Sequence, residues 1–113
     1  MKKIEATIRA TKIGAVSDAI NDLVGGFSIL EGNGRGSGER QTIRAGRGTG
    51  SLVAEYNKIA VVVTIVDDSK ADDVIFAISD AASTGVGGDG IITISDVENV
   101  INIASKKTGS DAL

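Results

Sequence analysis

The spacing of apolar positions changes repeatedly along this chain, and each change marks an element. Residues 3–9 alternate strictly, with Ile4, Ala6 and Ile8 on one face, which is the period of a half-buried strand. From Lys12 the period lengthens. Val16, Ala19, Ile20 and Leu23 fall at i, i+3, i+4 and i+7, the inward stripe of an amphipathic helix. Thr11 is placed to cap its start, and Gly25-Gly26 stops it. Residues 27–31 read as a short second strand, and 59–66, β-branched except for Ala60, as a central one. Ser69 is expected to cap a second helix over 70–82, with Val74, Ala77, Ile78 and Ala81 inward and Asp72 and Asp73 in its first turn. A glycine-rich turn over 84–90 then returns the chain to a fourth strand, 91–94. Ser95 or Asp96 is expected to open a helical turn over 97–100, residues 101–103 to add a brief edge strand, and 105–113 to form a tail.

Between the second and third strands lies the stretch that breaks every periodicity, residues 32–55. It holds seven of the fifteen glycines (at 32, 34, 36, 38, 46, 48 and 50) and four arginines, Arg35, Arg40, Arg44 and Arg47. Few of its side chains are apolar, so burial cannot offset the entropy of ordering it. A structureless loop of about twenty residues inside a compact domain is uncommon and usually functional. The expectation is a mobile, arginine-bearing arm on a rigid platform.

The order β-α-β, long loop, β-α-β predicts an α+β fold of the ferredoxin-like βαββαβ kind, helices on one face of an antiparallel sheet. With no third helix to cover the other face, self-association is the economical solution.

Composition narrows the chemistry. The 113 residues suit one domain, 1–113, and a core that is aliphatic, since there are only two Phe and one Tyr. There is no Cys and no His, which excludes a disulfide framework, a catalytic thiol, a zinc site and an imidazole base. No apolar run approaches membrane-spanning length, and the first nine residues are too short and polar for a signal peptide, so a cytoplasmic protein without membrane insertion is expected. The net charge of −3 argues against general nucleic-acid binding. The loop arginines have no aromatic neighbours for stacking bases, and the body is acidic, which argues against RNA as well. Asp67-Asp68 and Asp72-Asp73 are carboxylate pairs, but helix-start chemistry explains them and no nucleophile accompanies them. The protein is not expected to be an enzyme.

Met-Lys-Lys-Ile-Glu-Ala at the start, Gly34-Arg35-Gly36, the turn Thr84-Gly85-Val86-Gly87-Gly88-Asp89-Gly90 and the terminal Asp111-Ala112-Leu113 resemble, in order and spacing, the PII family of nitrogen-regulatory signal proteins. The resemblance covers essentially the whole chain. It implies a homotrimer with nucleotide clefts between subunits, built from a T-loop (33–57), a B-loop (84–91) and a C-loop (102–107), followed by a tail (108–113). It implies binding of an adenine nucleotide, ADP, ATP or AMP, with Mg²⁺ only alongside ATP. It also implies regulation of a target protein, such as an ammonium transporter or a metabolic enzyme, through the T-loop. Carried over by position, the nucleotide-binding residues are Ser28, Gly36, Ser37, Gly38, Ile65, Gly87, Gly88, Asp89, Gly90 and Lys106, and Arg40, Arg44 and Arg47 are partner-binding. A carbon (bicarbonate) sensor, or an interaction module that has lost nucleotide binding, are the alternatives.

The phosphate turn contains a formal Gly85-x-Gly87-x-x-Gly90 fingerprint, but it follows a helix and enters a strand, the reverse of the dinucleotide arrangement. Taken alone, its glycines are better explained by a helix C-cap and tight turn. The family resemblance tips the reading to a phosphate cradle of backbone N–H groups. Departures from the family pattern sit in the same places. Ile91 stands where the family has a Lys, and Asn102 and Ala104 where it has two Arg, with Lys106 and Lys107 nearby as flexible substitutes. Gly38 occupies the position of a metal-holding Gln, which Gln41 replaces only if the loop folds differently, and Lys58 is one place early with Ile59 in register. Weakened polyphosphate binding follows, with ADP or AMP competing better against ATP, and 2-oxoglutarate sensing by the usual arrangement is not expected. Thr49 and Ser51 are exposed-loop candidates for phosphorylation, a weak signal by itself.

Overall fold

The structure, a computed structural model, describes residues 1–38, 40, 42–45 and 50–113, and only the backbone of Ile43, Arg44, Ala45 and Ser51. Its main sheet has four strands: β1 (Lys2–Arg9), β2 (Ser28–Gly34), β5 (Asn57–Val66) and β6 (Gly90–Asp96), in the order β2-β5-β1-β6. Every pairing is antiparallel. Helices α1 (Ile13–Ile20) and α2 (Asp68–Ala82) supply the two crossovers, so the expected split β-α-β arrangement is the one observed.

Alternation decides the faces. Ile4, Ala6 and Ile8 of β1 and Ala60, Val62, Thr64 and Val66 of β5 are buried beneath the helices, where Val16, Ile20, Val74 and Ile78 meet them with no exposed surface. Thr64 is polar in this layer, and its hydroxyl donates to the Gly26 carbonyl at 2.7 Å. The intervening residues, among them Thr7, Arg9, Leu30, Ile59, Val61, Val63, Ile65 and Ile91, share the helix-free face.

The helix starts depart from expectation. A 3₁₀ turn, Ala10–Lys12, leads from β1 into α1, and Ile13 N–H bonds the Ala10 carbonyl, so backbone satisfies what Thr11 was expected to cap. α1 ends at Ile20, with Leu23 and Val24 in a following turn whose N–H groups bond the Ile20 carbonyl. α2 begins at Asp68 after Asp67, and Ser69 lies inside it, its hydroxyl on Asp67 Oδ2 at 3.1 Å. The earlier start moves Asp72 and Asp73 out of the first turn, where Asp68 complements the dipole instead. The buried stripe is Ala71, Val74, Ile78 and Ala82, with Ala77 and Ala81 on its flanks.

After β6, pairing with β1 carries the strand through Asp96 and no helix forms over 97–100. In place of an edge strand there is one bridge, Ile101 to Thr108. The expected tail is folded. Gly109–Ala112 is a 3₁₀ turn, Ala112 is buried, and Ser110 Oγ donates to Asp67 Oδ1 at 2.9 Å.

The arm is also more regular than expected. β2 and β5 stay paired through Gly32–Ile59, Asn33–Lys58 and Gly34–Asn57, which carries the main sheet into its base. Farther out, β3 (Thr42–Ala45) pairs antiparallel with β4 (Gly50–Val53). Strand pairing satisfies backbone groups whatever the side chains, so an apolar-poor stretch need not be structureless. Gln41, Arg47 and Thr49 lie outside the described residues, as do the side chains of Arg44 and Ser51. No described helix is long and apolar enough to cross a membrane.

Candidate functional site

The turn over 84–90 is organised by one carboxylate. Asp89 Oδ2 accepts the N–H of Thr84 at 2.8 Å and of Gly85 at 3.2 Å, while Oδ1 accepts the Thr84 hydroxyl and Arg9 Nε at 3.1 Å. These donors, the Thr84 side chain first, then its amide, with Arg9 and Gly85 adding to them, hold the Asp89 carboxyl down at about 2. Asp89 is therefore spent inward, on the shape of the turn. Gly90, at φ +114°, opens β6 so close to β1 that a Cβ there would stand 1.8 Å from the Thr7 carbonyl oxygen. That glycine is required by strand packing before any ligand is considered.

Arg9 ties the turn to the sheet. It ends β1 on the helix-free face and reaches under the turn, Nε on Asp89 and Nη2 on the Gly87 carbonyl at 3.0 Å. Sequence reasoning passed over this residue. The available signal was its place in the β1 alternation, on the same face as Thr7, but the partner eighty positions away depends on β1 and β6 being neighbours.

The base of the arm closes the other side. Gly38 lies against Gly88, and a Cβ at Gly38 would meet the Gly88 Cα at 2.6 Å. Between them runs a cleft of about 370 Å³, lined by Thr7, Arg9, 34–38, 57–59, Gly88, Gly90 and Ile91. Arg9, Arg35 and Lys58 are its cations, and no described carboxylate lines it. Arg35, also missed, spans the neck of the arm. Its Nε and Nη2 both donate to the Glu55 carbonyl, at 2.9 and 2.6 Å, and its guanidinium lies 5.1 Å from the Tyr56 ring centre. A glycine-walled, cation-lined cleft of this size accommodates an anion with an organic body attached.

The candidate residues thus fall into groups. Gly36, Ser37, Gly38, Gly88 and Gly90 line this cleft, with Gly87 and Asp89 building its turn. Ser28 and Ile65 line a different hollow of about 470 Å³, with Val63, Asn102, Ala112 and Leu113. Lys106 lines neither. It sits at φ +62° in the loop after Ile101, its N–H on the Asn102 carbonyl. Asn102 shapes that loop: Oδ1 accepts the N–H of Ala104 at 3.1 Å and Ser105 at 3.0 Å, and Nδ2 donates to the Ala112 carbonyl at 3.3 Å. Arg40 is exposed on the arm, away from the cleft lining.

Comparison with known proteins gives one consistent answer. The family model described as "Nitrogen regulatory protein P-II" matches residues 1–107. The chain is similar to a "Nitrogen regulatory protein P-II" of Rhizobium meliloti (strain 1021), 40% identical over 114 aligned positions and covering 100% of both chains. A protein of the same description from Nostoc punctiforme is also 40% identical with 100% coverage of both. "Nitrogen regulatory protein GlnK2" of Haloferax mediterranei is 39% identical over 100% of this chain and 91% of its own.

Proposed function

Because this chain belongs to the nitrogen regulatory protein P-II family, whose members are signal-transduction regulators and not enzymes, we propose that it senses an adenine nucleotide in the cleft and reports through the arm to a target protein of nitrogen metabolism. One observation carries the reading: the base of the arm, at Gly36–Gly38, and the turn ending in Gly88–Gly90 form one cleft with Arg9, Arg35 and Lys58. In this reading the turn's free amides and these cations take phosphate oxygens. Occupancy of the cleft changes the arm, whose arginines, Arg40, Arg44 and Arg47, meet a target such as an ammonium transporter or a metabolic enzyme in the cytoplasm.

The functional unit in this reading is a homotrimer. The cleft, through Thr7, Arg9, Ile59 and Ile91, and the hollow, through Ser28, Val63 and Ile65, both draw on the helix-free face, at opposite ends of β5. A second copy on that face would bring one subunit's hollow, with its Asn102 loop and Lys106, toward the cleft of the next. The residues scattered within one chain would then serve a single nucleotide, with 33–57, 84–91 and 102–107 as the three loops of the site and 108–113 bracing the last. Ile91, apolar at the mouth of the cleft, gives the terminal phosphates nothing, so ADP and AMP are favoured over ATP relative to a site with a cation there.

Isothermal titration with ATP, ADP and AMP tests the reading. Heat of binding with ADP, saturating at one nucleotide per subunit, is the expected result. Absence of binding by all three would leave the interaction-module reading, which the apolar Ile91 already favours, in the lead.

A further inference from the structure

We propose that the outer face of the two helices is a docking surface for the arm of a second copy of this chain, and that the contact links molecules head to tail. The surface lies apart from the cleft, and the contact does not depend on what the cleft binds. On α2, Asp72, Asp73 and Asp80 stand at i−4, i−3 and i+4 from Phe76, so a carboxylate lies one turn away on either side of the ring. All four side chains are exposed, opposite the buried stripe of Ala71, Val74, Ile78 and Ala82. α1, packed beside α2, adds the exposed Asp18 and Asp22. Among the described residues, ion pairs engage Glu5, Asp68, Asp89 and Asp96, and none of these five carboxylates. Lys12 and Lys70 are the cations of this layer, which is therefore left negative.

A single exposed aromatic is ordinary. Phe76 differs in its setting. It is 72% exposed where the other phenylalanine, Phe27, packs against the core, and carboxylates surround it. A ring among carboxylates suits a partner that brings cations and apolar groups together, since ring face and carboxylate both attract a guanidinium. The arm has that character. Residues 33–57 carry four arginines against Glu39 and Glu55, so the rest of the chain is more acidic than its net charge of −3. Arg40 is exposed on the arm, and Leu52 and Val53 of β4 are 57% and 59% exposed. Cation and aliphatic surface on the arm thus match carboxylate and ring on the helices.

The match is met between copies, not within one. The molecule is 58 Å long and 28 by 22 Å across. The ten residues of β5, at about 3.3 Å each, account for only part of that length. The arm supplies the rest, so it stands off the body and not over its own helices. Arm and helix face are different patches, which makes their contact heterologous, and such a contact extends from molecule to molecule without closing. The proposed homotrimer would bury the helix-free face, leaving its helix layers and arms free to join one trimer to the next. An arm seated on a neighbour's helices is unavailable to any other protein. The same contact that links the molecules therefore withholds the arm, and salt, which screens exposed charges, releases it.

Sedimentation velocity of the full chain at two salt concentrations tests this. At about 1 M salt, where charges are felt over about 3 Å, one species should dominate, whatever its subunit number. At about 0.01 M, where they are felt over about 30 Å, larger species should appear and grow with protein concentration. Phe76→Ser, which alters neither net charge nor core, should weaken that growth about tenfold. Arg40→Gln should weaken it several-fold, and Asp72→Asn/Asp73→Asn repeats the test on the helix face with the ring in place. Far-ultraviolet circular dichroism should be unchanged in all three. Mixed together, Phe76→Ser and Arg40→Gln should associate more strongly than either alone, because the intact arm of the first fits the intact helix face of the second. A wild type that remains a single species at low salt overturns the proposal. So does wild-type association in Phe76→Ser, which would leave only unspecific attraction of charges. A mixture no stronger than its parts also overturns it, since Arg40 and Phe76 would then belong to different contacts.

Discussion

Four donors converge on Asp89, and their removal by acid has a defined window. The folded carboxyl sits at about 2, against roughly 3.9 for an unperturbed Asp. A depressed pKa means the turn's stabilisation is complete above the unfolded value and is lost as pH falls through the folded one. The amides of Thr84 and Gly85 should therefore stay protected from hydrogen exchange down to about pH 4 and lose protection toward pH 2. Asp89→Asn with its NH₂ in place of Oδ2, the oxygen that accepts both amides, sets a donor against them and should expose them at neutral pH. Amide exchange followed by NMR checks both. Protection that is unchanged in Asp89→Asn would mean that backbone alone sets the turn.

The opposite side of the turn tests ligand chemistry at the same scale. Ile91 is 67% exposed, so replacing it disturbs little packing. Ile91→Lys should strengthen ATP by about tenfold and AMP much less, because the added charge gains with each further phosphate. Calorimetry showing equal changes for the two nucleotides would place their phosphates elsewhere. Gly90 is unsuitable for such a test, since any side chain there strikes the Thr7 carbonyl and opens the edge of the sheet. Much at this scale was legible. The turn, its glycines and the apolar 91 stand in consecutive sequence. Arg9 and Arg35 were not legible as site residues, because their partners, Asp89 and Glu55, stand eighty and twenty positions away and only the fold brings them near.

Among elements, the strands were read closely because alternation survives in β1 and β5, where one face is buried and the other is not. Helix starts were missed by a few residues: Thr11 and Ser69 carry the right side chains for caps, but backbone turns and Asp67 lie at the true boundaries. The arm was misread as structureless since its ladder rests on backbone groups that composition does not display. Its base is nevertheless tightly constrained where it meets the turn. Gly38→Ala sets a methyl group 2.6 Å from the Gly88 Cα, backbone against backbone, so arm and turn must separate. ADP affinity should drop at least tenfold while thermal stability changes little, a pairing that calorimetry and a melting curve check. Trypsin reads the arm itself. Arg40 should be cut before Arg35, whose side chain is tied to the neck, and saturating ADP should shift the ratio further in that direction. A cleavage pattern indifferent to ADP would mean that the arm is not the signalling element.

At the scale of the whole molecule, the helix-free face is the surface that the proposed homotrimer would bury. Ile59, Val61, Val63 and Ile65 of β5 present four consecutive outward aliphatic positions, with Leu30 beside them on β2. Val61 is at the centre, paired with Leu30 on one side and Thr7 on the other. Covering such a face with copies of itself withdraws apolar surface at about 25 cal/mol per Å², and each fully buried valine contributes about 1.5–3 kcal/mol. A charge at the same position would instead be desolvated without a partner. Sedimentation of the wild-type chain at micromolar concentration should therefore give a trimer, and Val61→Lys a monomer with unchanged far-ultraviolet circular dichroism, since the side chain lies outside the core beneath the helices. If the nucleotide is shared between one subunit's cleft and its neighbour's hollow at Ser28 and Ile65, the monomer should also lose ADP binding although no residue of the cleft lining has changed. A monomeric wild type would remove the shared site altogether. A monomeric Val61→Lys that binds ADP normally would confine the nucleotide to the single-chain cleft, leaving Ser28, Ile65 and Lys106 without a part in it.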